Sequence, residues 1–214
     1  MRFLCLSDLH GNADALHAVL ATAERRGYHR LVVAGDLCYP GPAPLATWRL
    51  LVAGNATLVR GMSDRALSAL DLDSVRASNE FEQGRLVRLR ETRRELGEII
   101  VARLGKLPDV ARIPLPNGDE MVVVHGSPAD PTETMSHEMT DEELSALLGD
   151  DPADVVVCGG SHVPFERWIS GVHIVNVGSV GDAPGGLHAD ATFLQVTDTG
   201  VVVEQISVPI GPDD

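Results

Sequence analysis

A chain of 214 residues with 44% hydrophobic content is long enough to bury a layered core within one domain, taken here as 1–214. Seventeen basic residues against thirty-one acidic ones give a formal charge of −14, a surface that repels polyanions and excludes extended nucleic acid and anionic membranes as first-choice partners. No apolar run approaches the roughly 20 residues that cross a bilayer, no targeting segment opens the chain, and Cys5, Cys38 and Cys158 sit in or beside apolar runs. The expectation is a cytoplasmic protein with reduced core cysteines.

Phe3-Leu4-Cys5-Leu6 reads as a buried strand that gives way to Ser7-Asp8-Leu9-His10-Gly11-Asn12. A carboxylate and an imidazole two residues apart at a strand end aim at one spot, which suits a divalent metal. A solvated turn is the competing reading of that stretch alone. Ala13 to Arg26 has helical apolar spacing, with Asn12 as its cap and Gly27 as its stop. Leu31 to Ala34 is a second buried strand, and it ends in Gly35-Asp36. Pro40, Pro42 and Pro44 forbid regular structure in the loop that follows, and Leu45 to Val52 resumes a helix.

Thr57 to Val59 reads as a third strand with Gly61-Met62-Ser63-Asp64 as its loop, and residues 71 to 84 as a mobile, weakly patterned excursion. Arg85 to Arg103 is expected to be one long amphipathic helix. Its arginines should form a solvated face paired with Glu91, Glu95 and Glu98, with a phosphate clamp as the alternative. Val110 to Ile113 and Met121 to Val124 flank Asn117-Gly118 as a hairpin, whose second strand runs into His125. Thr140-Asp141-Glu142-Glu143 is a capping-box start for a short helix. Asp154 to Val157 is another buried strand, and its loop carries Gly160 and His162. The tail, from Trp168 to Ile206, alternates like an antiparallel sheet.

Asp8, His10, Asp36, His125 and His162 therefore all fall at strand-to-loop junctions, where α/β sheets place their ligands. In that order and context the chain resembles the calcineurin-like metallophosphoesterases, whose motifs run Asp-x-His, Gly-Asp, Gly-Asn-His-Asp, a single His-Gly and Gly-His-x-His. The small bacterial and archaeal branch is the nearest in pattern, through the Gly35 to Pro44 loop. The resemblance implies a four-layer α/β/β/α sandwich of two mixed sheets flanked by helices. It also implies metal-dependent hydrolysis of phosphate mono- or diesters on a small phosphorylated substrate, with one or two ions of manganese, or iron or zinc.

Carried over residue by residue, one ion would take Asp8, His10, Asp36 and His162, and a second Asp36 and His125. Met62 stands where the family has its asparagine ligand, Gly160 where it has a histidine, and Ser63 where it has its general-acid histidine. One strong and one weakened metal site are thus expected, with protonation of the leaving group falling to water, Asp64 or the substrate itself. A non-catalytic phospho-ligand-binding or regulatory protein that keeps the fold is the alternative. His188 is the further histidine expected near the site, in the loop from Gly178 to Asp190. Oligomeric state is left open by the sequence.

Overall fold

In the computed structural model, which describes residues 1–211, two five-stranded mixed sheets pack face to face between helices. Residues 212–214, the end of the domain expected over 1–214, lie outside the described residues. The first sheet holds β1 (Arg2–Leu6), β2 (Arg30–Val33), β3 (Thr57–Leu58), β9 (His188–Thr197) and β10 (Gly200–Pro209), in the order β10-β9-β1-β2-β3. The second holds β4 (Val110–Pro114), β5 (Glu120–Val124), β6 (Val155–Cys158), β7 (Phe165–Ile169) and β8 (Val172–Asn176), in the order β4-β5-β6-β8-β7.

Strand periodicity explains the layers, because successive side chains point to opposite faces. From β1, Phe3 and Cys5 enter the inter-sheet core with Val32, Met121, Val123, Val155 and Val157. Leu4 and Leu6 face the other way, against α1 (Ala13–Arg26) and α2 (Pro44–Ala53), where Leu16, Val19, Trp48 and Leu51 are buried. On the far side, Val122, Val124 and Val156 pack under Leu144 and Leu148 of α5 (Asp141–Leu148). Strands covered on both faces must be apolar throughout, which is why these segments are continuous runs. Cys5, Cys38 and Cys158 are free and buried, and burial pushes the Cys5 thiol up to about 12, so it stays protonated and inert at neutral pH. Among the described residues no helix is long and apolar enough to cross a membrane.

Several segments differ from the sequence reading. Met62–Ala69 forms a helix, α3, so Met62, Ser63 and Asp64 lie in a first helical turn and not in a loop. The arginine-rich helix α4 (Glu80–Leu104) begins earlier than expected and is broken at Gly97, whose φ of 73° and ψ of 163° no helix contains. The excursion before it is anchored, since Leu72 is buried in the core. The tail is two hairpins in different sheets, and β8 joins β6 in parallel.

The arginine face is likewise not a solvated stripe. Arg88 Nε donates to Pro40 O at 2.8 Å and its Nη2 to Gly41 O, Arg90 donates to Leu72 O at 2.7 Å, and Arg93 to Leu70 O at 3.0 Å. Of the glutamates expected to pair with it, only Glu91 does so among the described residues, at 3.6 Å from Arg88. These guanidiniums instead pin neighbouring loops by charge-assisted hydrogen bonds to carbonyls.

Candidate metal centre

All five strand-end residues meet at one end of the sandwich. β1 runs parallel to β2, and β5 parallel to β6, so the loops carrying Asp8, Asp36, His125 and His162 leave the sheets on the same side. The first two loops are laced together: Asp8 N donates to Gly35 O at 3.1 Å, His10 N to Asp36 O at 2.9 Å and Gly11 N to Leu37 O at 3.0 Å. Asp8, His10, Asp36 and His162 all adopt left-handed backbone conformations, with φ of 53°, 49°, 54° and 59°. Non-glycine residues reach that region at a cost of roughly 1–3 kcal/mol, and such strain gathers where side chains must be aimed. Gly61 is required beside them, because a Cβ there would stand 2.2 Å from Asp36 Oδ1.

Asp8 is fully buried, with Oδ2 accepting from Gly160 N at 2.8 Å, and the other oxygen, Oδ1, has no hydrogen-bond partner. His162 Nε2 lies 3.2 Å from Oδ1 without the alignment of a hydrogen bond. Two groups of candidate ligands meet at Asp8: one with His10 and His162, whose Nε2 atoms lie 3.7 and 3.2 Å from Oδ1, and one with Asp36 and His125. Asp8 is common to both groups, while the resemblance gives the bridging place to Asp36. Asp36 groups with Asp8 and His125, its Oδ1 3.7 Å from His125 Nε2, and falls outside the set of Asp8, His10 and His162.

Each histidine has its Nδ1 against an acceptor. His10 Nδ1 meets Tyr39 O at 2.8 Å, His125 Nδ1 meets Ala34 O at 2.7 Å, and His162 Nδ1 meets Asp182 Oδ2 at 3.2 Å. For His10 and His125 these carbonyl acceptors favour the proton on Nδ1 and a free lone pair on Nε2, the arrangement of metal-ligating histidines, while His162 has only the nearby Asp182 carboxylate on its Nδ1 side. The Nε2 atoms of His10 and His162 are 3.2 Å apart, a contact that two lone pairs would resist and that a shared cation or a proton relieves.

The charges here are coupled. Burial works against ionising Asp8, but the adjacent His162 and His125 and the Gly160 amide hold its carboxyl below the ordinary value. Burial likewise opposes charge on His125, yet the carboxylates of Asp36 and Asp8 push its pKa up. The Asp8 carboxylate beside His162 raises that group too, against its own burial. Converging carboxylate and imidazole donors, with one buried oxygen unpaired between them, fit a divalent cation.

Asp64 does not face this centre. It is completely buried, its oxygens accept from Leu37 N at 3.1 Å and Gly61 N at 3.0 Å, and burial followed by the charge of Asp36 raises its pKa to about 7. A side chain with no exposed surface and both oxygens engaged cannot reach a leaving group, so it braces the loops on either side of Asp36 instead.

His188 also lies apart, pairing with Asp190 at 3.4 Å. Asp182, which the sequence reading passed over, is the loop residue that reaches the site; its only signal was its place in the loop after Gly178. At Gly160, with φ of 76°, a Cβ would stand 3.5 Å from His125 Nε2 but 2.7 Å from Thr134 Oγ1, so Thr134 occupies part of the space of a side chain there. Met62 is 47% exposed and lines, with Ser63, a cleft of about 810 Å³ that opens beside His10 and Asp36.

Comparison with known proteins bears on this geometry. The profile of the calcineurin-like phosphoesterase superfamily domain matches residues 1–199. No curated protein matches the sequence. A hypothetical protein from Pyrococcus horikoshii OT3 superposes with a TM-score of 0.83 at 19% identity, over 99% of this chain and 89% of that one. A metallophosphoesterase from Sphaerobacter thermophilus gives 0.76 at 23% identity, over 97% and 89%. The phosphoesterase Yfce from E. coli gives 0.53 at 20%, over 97% and 100%. At these identities the structural likenesses establish the fold, two mixed sheets flanked by helices.

Proposed function

The chain belongs to the calcineurin-like phosphoesterase superfamily, and we propose that this protein is a metal-dependent hydrolase of phosphate mono- or diesters. One observation carries the reading: the unpartnered Asp8 Oδ1, buried where two sets of ligand atoms converge. Asp8, His10 and His162 would hold one ion, and Asp36 and His125, with Asp8 shared, would hold or recruit a second more weakly. Met62 offers only a soft thioether and Gly160 no side chain, which is why the second group is the poorer one. Mixed carboxylate and imidazole donors suit manganese, iron or zinc, and manganese is our choice on family grounds.

A bound divalent ion supplies Lewis acidity, which acidifies water and polarises a phosphoryl oxygen. The rest falls to the chain. Gly160 N–H fixes the Asp8 carboxylate, Tyr39 O holds His10 in the ligating tautomer, the Asp182 carboxylate sits beside His162 Nδ1, and the cleft receives a small phosphorylated substrate. With Asp64 buried, a departing alkoxide takes its proton from solvent, so esters of acidic alcohols should react best. That same feature supports a second reading, a phospho-ligand-binding or regulatory protein that turns nothing over.

The test is hydrolysis of p-nitrophenyl phosphate and its bis-ester by protein incubated with manganese, beside a His10→Ala control. Turnover of either well above the control is expected. Tight calorimetric binding of phosphorylated metabolites with no turnover would favour the second reading instead.

A further inference from the structure

We propose that the organic half of the substrate carries a flat aromatic ring, and that this ring stacks on Phe81 in the cleft beside the metal centre. The proposal rests on the phosphoesterase reading of the same site. The cleft runs from His10 and Asp36 to the first turn of α4, where Phe81 and Arg85 line it. Phe81 is 74% exposed, a large apolar ring presented at the mouth of a site that must bind something. Pro40 and the thioether of Met62 line the same cleft, and both are good partners for a π face.

Arg85 supplies the anion-seeking half of the argument. Arg88, Arg90 and Arg93 are tied to backbone carbonyls, whereas Arg85 makes no side-chain hydrogen bond or ion pair among the described residues. Its guanidinium carbon lies 5.9 Å from the Phe81 ring centroid, at the outer limit of a cation–π contact. The cleft lining holds Asp36 and Glu80 as well as Arg85 and Arg88, and of those two cations Arg85 is the one whose guanidinium is not tied to a carbonyl. It draws the phosphate toward the centre while the ring settles on Phe81. Arg85 also borders a neighbouring cavity of about 250 Å³, lined by Leu70, Val75 and Leu86 and by Arg76 and Glu82. An aliphatic group would gain desolvation alone; an aromatic ring of the same size gains the offset stack as well.

Calorimetry on manganese-loaded protein with phenylphosphonate and cyclohexylphosphonate separates these terms when affinities are expressed per dianion, because the two dianions differ in flatness and not in charge. The phenyl compound is expected to bind about tenfold more tightly. Phe81→Ala should bring that ratio close to one, and Phe81→Trp should restore it; as an exposed residue, Phe81 can be changed without disturbing the core. Adenosine 5′-monophosphate forms a further arm: binding tighter than phenylphosphonate and sensitive to Phe81→Ala identifies the ring as a nucleobase, and weaker binding identifies a simple aryl group. A wild-type ratio of one, or a ratio that Phe81→Ala leaves unmoved, overturns the proposal. Hydrolysis of the bis-ester in the same preparation reports separately on the phosphoesterase reading, which fails if turnover is absent even where the ratio holds.

Discussion

Asp8→Ala is expected to lose divalent metal from both ligand groups and to lower phosphodiester hydrolysis by about a thousandfold. Asp8 is the residue the two groups share, so its removal takes one ligand from each. A Lewis acid contributes several kcal/mol to a phosphoryl-transfer transition state, and at about 1.4 kcal/mol per factor of ten its loss corresponds to roughly three decades. His162→Ala, by contrast, removes a ligand from one group only and should leave residual metal beside Asp36 and His125. Elemental analysis of the purified variants, with rates on the bis-ester, checks both expectations. Should Asp8→Ala keep its metal content, Asp8 is not the common ligand.

Asp64→Ala should destabilise the fold by roughly 2–4 kcal/mol at acidic pH. Two interior amides, those of Leu37 and Gly61, would lose their acceptor, and each buried donor left unpaired costs about 1–3 kcal/mol. The size of the effect should depend on pH, with a sign fixed by linkage. The carboxyl of Asp64 is raised from its ordinary 3.8 to about 7, so between those values the folded state holds a proton that the unfolded chain has released. Wild-type stability therefore falls, relative to the variant, as pH rises through that window, and the difference levels off above it. Asp64→Asn should recover part of the loss and abolish the pH dependence. Denaturant unfolding at several pH values measures all three, and a wild-type advantage that grows with pH would contradict the account. Because Asp64 braces residues on both sides of Asp36, weaker metal binding should accompany the loss of stability.

The convergence of the five candidate ligands was legible because each follows an apolar run that reads as a buried strand, and parallel strands deliver their loops to one end. How the side chains group around Asp8 was not. That depends on left-handed backbone at Asp8, His10, Asp36 and His162, a conformation nothing in residue type demands outside glycine.

Helix α3 escaped notice for a related reason: its start is fixed by the Asp64 carboxylate accepting from Gly61 N, with few apolar residues to mark a face. Gly97 within the arginine-rich run was a visible warning of a break in α4. The arginine face was misjudged because the carbonyls that capture Arg88, Arg90 and Arg93 belong to loops whose placement only the packed fold determines.

The central claim, that Asp8, His10, Asp36, His125 and His162 hold divalent metal, is tested most directly by anomalous scattering at the manganese edge from crystals grown with manganese. The account predicts a strong peak in contact with Asp8, His10 and His162, and a weaker one beside Asp36 and His125. No peak among these five residues, in protein that still hydrolyses the bis-ester, would contradict it.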